Sequence, residues 1–155
     1  MSDAAAETRS VVVEREFPHP PEKIWRALTQ PHLIETWLME NDFRPVVGHR
    51  FNMRRTPKPD FHVVVDCEVL KVEPNRTLSY TWSAFDLEGV VTWTLTPTPA
   101  GTLLRMEQSG FKPHQTQALA GATAGWHRVF AKLEEKLAGE AEADHNETSS
   151  RRKTP

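Results

Sequence analysis

The groups able to do chemistry in this chain are few and scattered. Histidines stand at 19, 32, 49, 62, 114, 127 and 145, and no two have the i, i+4 spacing with which a helix presents a zinc pair. Cys67 is the single cysteine, so neither an internal disulfide nor a cysteine-rich zinc site is available. It lies mid-strand among valines, where a thiol behaves as a small apolar group. Asp66 and Glu68 share one side of a strand like a carboxylate pair for acid–base work, but their alternation with apolar neighbours turns them outward. No serine sits in a nucleophile elbow, and no glycine-rich loop is built to cradle phosphate. The sequence assigns no catalytic residue, no metal ligand and no cofactor.

What the chain does concentrate is aromatic surface. Trp37, Phe51, Tyr80, Trp82, Trp93, Trp126 and Phe130 fall on faces that periodicity turns inward, together with Met53, Val65, Met106 and Gln108. Such a set either lines an apolar pocket for a lipid-like or aromatic molecule or packs on itself as a filled core. Four polar side chains fall in register with these apolar neighbours: Arg15, His49, Tyr80 and Gln108. A buried polar group needs a partner. Arg15 and His49 stand near strand ends, from which they reach solvent, whereas Tyr80 and Gln108 are candidates to face a ligand.

The elements that must position these residues are legible in the hydrophobic period. SVVVEREF (10–17) alternates as a first strand. Pro20 and Pro21 open a helix carrying Ile24, Trp25 and Leu28. Thr29-Gln30-Pro31 breaks it and starts a second, carrying Leu33, Ile34, Trp37 and Leu38. Alternating segments follow from about 49 to 109, separated by TPKPD, PNR and TPTPAG turns. Within FHVVVDCEVLKVEP the apolar positions slip after Val69, which predicts a β-bulge near 69–70. After Gly110 the period becomes helical. Leu119, Ala122, Trp126, Val129, Phe130, Leu133 and Leu137 form one stripe of a helix predicted over about 113–139. Strands joined by short loops imply an antiparallel meander, and the last helix must bury its stripe on the inner face of that sheet. The fold class is therefore α+β.

The chain has 155 residues, 38% apolar and 26% charged, with formal net charge −2: one domain, with no general attraction to nucleic acid. No stretch approaches the roughly 20 apolar residues of a membrane span. MSDAAAETRS lacks a secretion pattern, so a cytoplasmic location is expected. Residues 1–9 read as a disordered N-terminal tail, 10–139 as the domain, and 140–155, ending in SSRRKTP, as a disordered C-terminal tail.

HPPEKIWRALTQPHLIETWL (19–38) resembles the opening of the START-like (SRPBCC) superfamily, and within it the activator-homologue family named after the ninety-kilodalton heat-shock chaperone. VLKVEPNRTLSYTW (69–82), GTLLRMEQSGF (101–111) and GWHRVFAKLEEKL (125–137) match the same family in the same order. The resemblance implies a helix-grip fold: a curved antiparallel sheet around a long C-terminal helix, with a cavity between them. Its members include ligand carriers, cyclase-like enzymes and chaperone activators, so function has to come from the site. Three readings follow. The first is binding of an apolar or amphipathic small molecule in the cavity, which is read ahead of catalysis. The second is a cyclase- or hydratase-type enzyme using Tyr80, His49 or Gln108. The third is a chaperone-associated interaction module.

Overall fold

The computed structural model of the protein describes residues 8–153. Strand β1 (Arg9–Phe17) leads to helices α1 (Pro21–Thr29) and α2 (Pro31–Trp37). Strands β2 (Glu40–Asn41), β3 (Arg50–Lys58), β4 (Phe61–Glu73), β5 (Thr77–Ala84), β6 (Leu87–Thr98) and β7 (Gly101–Phe111) follow, and α3 (Thr116–Lys153) closes the chain. The strands form one antiparallel sheet in the order β1-β7-β6-β5-β4-β3-β2. This is the predicted α+β helix-grip architecture. Residues 1–7 of the predicted N-terminal tail and 154–155 of the predicted C-terminal tail lie outside the described residues. One boundary differs from the sequence reading. Helix α3 continues to Lys153, past the predicted end near 139; the added stretch opens with alternating Glu and Ala, residues of good helix propensity.

Local chemistry explains the breaks. Pro31 drives Gln30 out of the helical region to φ −99°, ψ 120°, so α1 ends at Thr29 and α2 begins at the proline. The predicted bulge in β4 is present, since pairing with β5 shifts between Val69 and Lys71. A second shift was not predicted: Arg9 pairs with Phe111 but Val11 with Gln108, which leaves an extra residue on β7 at Ser109-Gly110. Gly110 has φ +104°, which glycine adopts without a Cβ clash. The irregularity brings Phe111 into the interior although it stands three residues after Gln108.

The core is deepest around Trp93, which is fully buried. Its indole N–H donates to Tyr80 Oη at 2.9 Å. Trp37 and Trp126 meet it edge-on at 5.7 Å, and Phe130 stacks on it at 5.8 Å. Phe130 also stacks on Phe17 of β1. Helix α3 therefore lies on β1 and α2; its backbone stands off from β3–β5, which it touches through Trp126 on Trp82, ring centroids 5.4 Å apart. Arg15, predicted near a strand end, bonds Glu134 of α3 at 3.0 Å. Both partners are partly exposed, so this pair contributes at most about 1 kcal/mol beside the aromatic contacts.

Emptying the Trp93 site is expected to destabilise the protein by roughly 3–5 kcal/mol in urea denaturation of Trp93→Ala. Trp126→Ala is expected to cost less, because one side of that indole faces open space rather than packed neighbours. Equal costs would show that Trp126 is as fully enclosed as Trp93.

Candidate functional site

Where α3 stands off from the sheet there is a cavity of ≈ 900 Å³. Its far wall comes from β3–β5 (Arg55, Val63, Val65, Trp82 and Ala84), and one side from α2 and the residues after it, Trp37, Leu38 and Met39. Helix α3 contributes Ala118, Ala122, Gly125, Trp126 and Val129. Small residues at 118, 122 and 125 recur at i, i+4 and i+7, so the helix face over the cavity is nearly bare of side-chain bulk. The gap follows from that choice: at Gly125 an added Cβ would meet nothing nearer than the Arg128 guanidinium, at 3.8 Å.

The lining sorts by depth. Six of its residues are buried: Trp37, Val65, Trp82, Gln108, Phe111 and Trp126. Charged groups sit at the mouth, where Arg55, Arg128 and Lys132 face Glu35 and Asp86, all exposed. The β5–β6 turn forms part of the rim, with Phe85 80% exposed and held at φ 55°. That backbone region is uncommon for a bulky side chain.

Five of the sequence-selected site residues line this cavity: Trp37, Val65, Trp82, Gln108 and Trp126. Six do not. Phe51, Met53, Tyr80, Trp93, Met106 and Phe130 are buried in the packed half of the interior, outside the cavity wall. Phe51 packs edge-on against Phe43 and Tyr80, while Trp93 is covered by Trp37, Trp126 and Phe130, and Phe130 by Trp93 and Phe17. The inward face was read correctly for these six, but they are spent on core packing. Phe111, Gly125 and Ala122 were not selected as site residues. Gly110 within a strand was the available signal for Phe111, since such a glycine marks a bulge. The small-residue spacing on α3 was the signal for the other two.

The polar groups resolve as follows. Tyr80 is fully enclosed and accepts the Trp93 N–H; burial holds its phenol well above its usual pKa, so it stays protonated. His49 stacks on Phe51, and its Nε2 lies 3.0 Å from the Asp42 carbonyl. Neither residue lines the cavity, so Tyr80, His49 and Gln108 do not assemble into one acid–base cluster there. Gln108 does line it. Its Oε1 accepts the Trp126 indole N–H at 2.6 Å.

Cys67 is buried, and its thiol is pushed up to about 12, by burial first and then by the carboxylates of Asp66 and Asp42. It is a neutral thiol at physiological pH, consistent with its reading as a small apolar group. Because its folded pKa is raised, the stability it contributes is complete below the ordinary thiol value and is lost as pH rises from there toward 12.

The sequence model of the family described as "Activator of Hsp90 ATPase homolog 1-like protein" matches residues 18–138. A solved structure from Mesorhizobium loti is 62% identical with TM-score 0.78, covering 85% of this chain and 98% of that one. A Rhodobacter sphaeroides structure is 26% identical with TM-score 0.75, covering 84% and 92%. DynU16, from the dynemicin biosynthetic locus, is 25% identical with TM-score 0.72; the match covers 83% of this chain and 47% of that one. Among curated proteins, none matches. Among the described residues, no helix is long and apolar enough to cross a membrane.

Iodoacetamide at about pH 8 is expected to leave native Cys67 unmodified for hours and to label it promptly in urea. Native-state labelling at the unfolded rate would show that the thiol is open to solvent.

Proposed function

This chain belongs to the activator of Hsp90 ATPase homolog 1-like family, and on that premise we propose that it binds an apolar or amphipathic small molecule in the cavity between α3 and strands β3–β5. The observation that carries the reading is the composition of the deep wall: five of its six buried residues are apolar, three of them tryptophans. Small-molecule sites are concave, apolar and marked by a few polar groups, with volumes of roughly 300–1,000 Å³. A cavity of ≈ 900 Å³ falls in that range.

Charge at the mouth fits an amphipathic ligand. Its polar end would sit among Arg55, Arg128 and Lys132 while its apolar body reaches the indoles. The family name ties its members to a chaperone, and DynU16 comes from a biosynthetic locus. Neither fact selects a ligand for this chain. Binding without chemistry is favoured because the buried lining carries no acid or base; the titratable groups of the cavity stand at exposed positions of its rim.

The test uses 1-anilinonaphthalene-8-sulfonate, which has an aromatic body and one anionic group. We expect saturable binding to the native protein, quenching of tryptophan fluorescence, and a higher melting temperature. At a hundred times Kd, mass action stabilises the folded state by about 2.7 kcal/mol. Gly125→Leu should weaken these effects by placing a four-carbon side chain in the cavity beside Trp126. It should also leave the protein at least as stable, since leucine favours a helix over glycine by roughly 0.5–1 kcal/mol. Unchanged dye affinity in a folded Gly125→Leu protein would place the dye elsewhere and remove support for the cavity.

A further inference from the structure

The hydrogen-bonding character of the deep wall narrows the ligand class, given the cavity-binding reading above. Four polar side-chain groups stand on its buried residues: the indole N–H of Trp37, Trp82 and Trp126, and the amide of Gln108. Two of the indoles are spent within the protein. Trp37 Nε1 donates to the Ala27 carbonyl at 3.0 Å, and Trp126 Nε1 donates to Gln108 Oε1 at 2.6 Å. That second bond also fixes the Gln108 amide. An indole N–H can only donate, so the oxygen must face Trp126 and the NH₂ must face away.

The Gln108 NH₂ and the Trp82 indole N–H remain. Neither has a hydrogen-bond partner within the protein, yet among the described residues no sealed side-chain nitrogen or oxygen lacks one. Both groups are therefore accessible, and both belong to residues that line the cavity while being only 2% and 9% exposed. Gln108 is set between Val11 and Val91 across the sheet, so the cavity is the polar opening left to it. The buried side chains thus offer unused N–H donors, and their one acceptor, Gln108 Oε1, already takes the Trp126 N–H.

We propose that the cavity selects a flat apolar molecule whose buried end carries a neutral hydrogen-bond acceptor, such as the carbonyl of an aromatic ketone or quinone, held by Gln108 Nε2 and Trp82 Nε1. A carboxylate is disfavoured at that depth, because no cation stands on the buried wall to offset its desolvation. A ligand donor placed there would face other donors and lose its water without compensation.

Three nearly isosteric tricycles separate the possibilities: 9-fluorenone carries an acceptor, fluorene neither group, and carbazole a donor. Affinities from tryptophan quenching should fall in the order fluorenone, fluorene, carbazole. A single neutral hydrogen bond predicts roughly a 3- to 10-fold advantage of fluorenone over fluorene. In amide and indole NMR spectra, fluorenone should move the Gln108 side-chain and Trp82 indole N–H resonances, and fluorene should move them much less. Gln108→Leu should erase the advantage of fluorenone while fluorene still binds. If that variant does not fold, the wild-type spectra decide. Equal affinity for all three tricycles, or a preference for carbazole, overturns the acceptor rule and leaves the cavity reading standing. Failure of all three to bind overturns both.

Discussion

The structure depends on how one indole is enclosed. Trp93 sits in a central strand with no exposed surface, so its N–H must find a partner and each face must find a neighbour. Tyr80, on the adjacent strand, takes the N–H. Trp37 of α2 and Trp126 of α3 supply edge contacts, and Phe130 supplies a stacked one. The sheet, the short helix and the long helix all meet at that side chain. Because Trp126 and Phe130 are one turn apart, the two contacts fix both the position of α3 along its axis and its rotation. Everything at the cavity depends on that placement.

Holding α3 at Trp126 and Phe130 leaves its two ends with different tasks. Toward the C-terminus, Leu133 and Leu137 continue a dense stripe; both are buried, and the Leu137 carbonyl accepts the Lys23 ammonium from α1 at 3.1 Å. Toward the N-terminus Leu119 packs against the core, but the positions over the cavity include Ala118, Ala122 and Gly125, which are too short to reach β3–β5. A helix with large residues throughout would have closed on the sheet and made a solid core. The protein keeps a cavity by withholding volume along three turns, and it offsets the lost packing with the aromatic cluster beside it.

Much of this was legible in the chain because the face of a strand or helix follows from period alone. Alternation placed Leu78, Tyr80, Trp82, Val91 and Trp93 inward, and all are buried. The slip after Val69 located a true bulge. Depth was not legible. Trp82 and Trp93 have the same type and the same inward orientation, yet one lines the cavity and the other is sealed behind it. That difference arises from where α3 touches the sheet, which depends on contacts distant in sequence. Met53 and Met106 were drawn toward the site for the same reason and lie in the filled half. Phe111 was missed because an irregularity at Gly110 changes the face on which it falls, and strict alternation cannot anticipate that.

The same distinction bears on what a shared fold can say about function. The enclosure of Trp93 and the antiparallel meander generate a container, and solved structures of low identity share the fold. On the proposed reading, specificity would reside instead in the few polar atoms left on its inner wall. Here those atoms are governed by one hydrogen bond. With Trp126 bonded to its oxygen, Gln108 turns its NH₂ donors toward the cavity; with phenylalanine at 126 its amide would be free to turn and could equally present its oxygen. Trp126 therefore helps hold the long helix against the core and also sets the polarity of the residue beside it. A relative with the same fold but a different residue at either position would keep the container and present a different polar pattern on its wall.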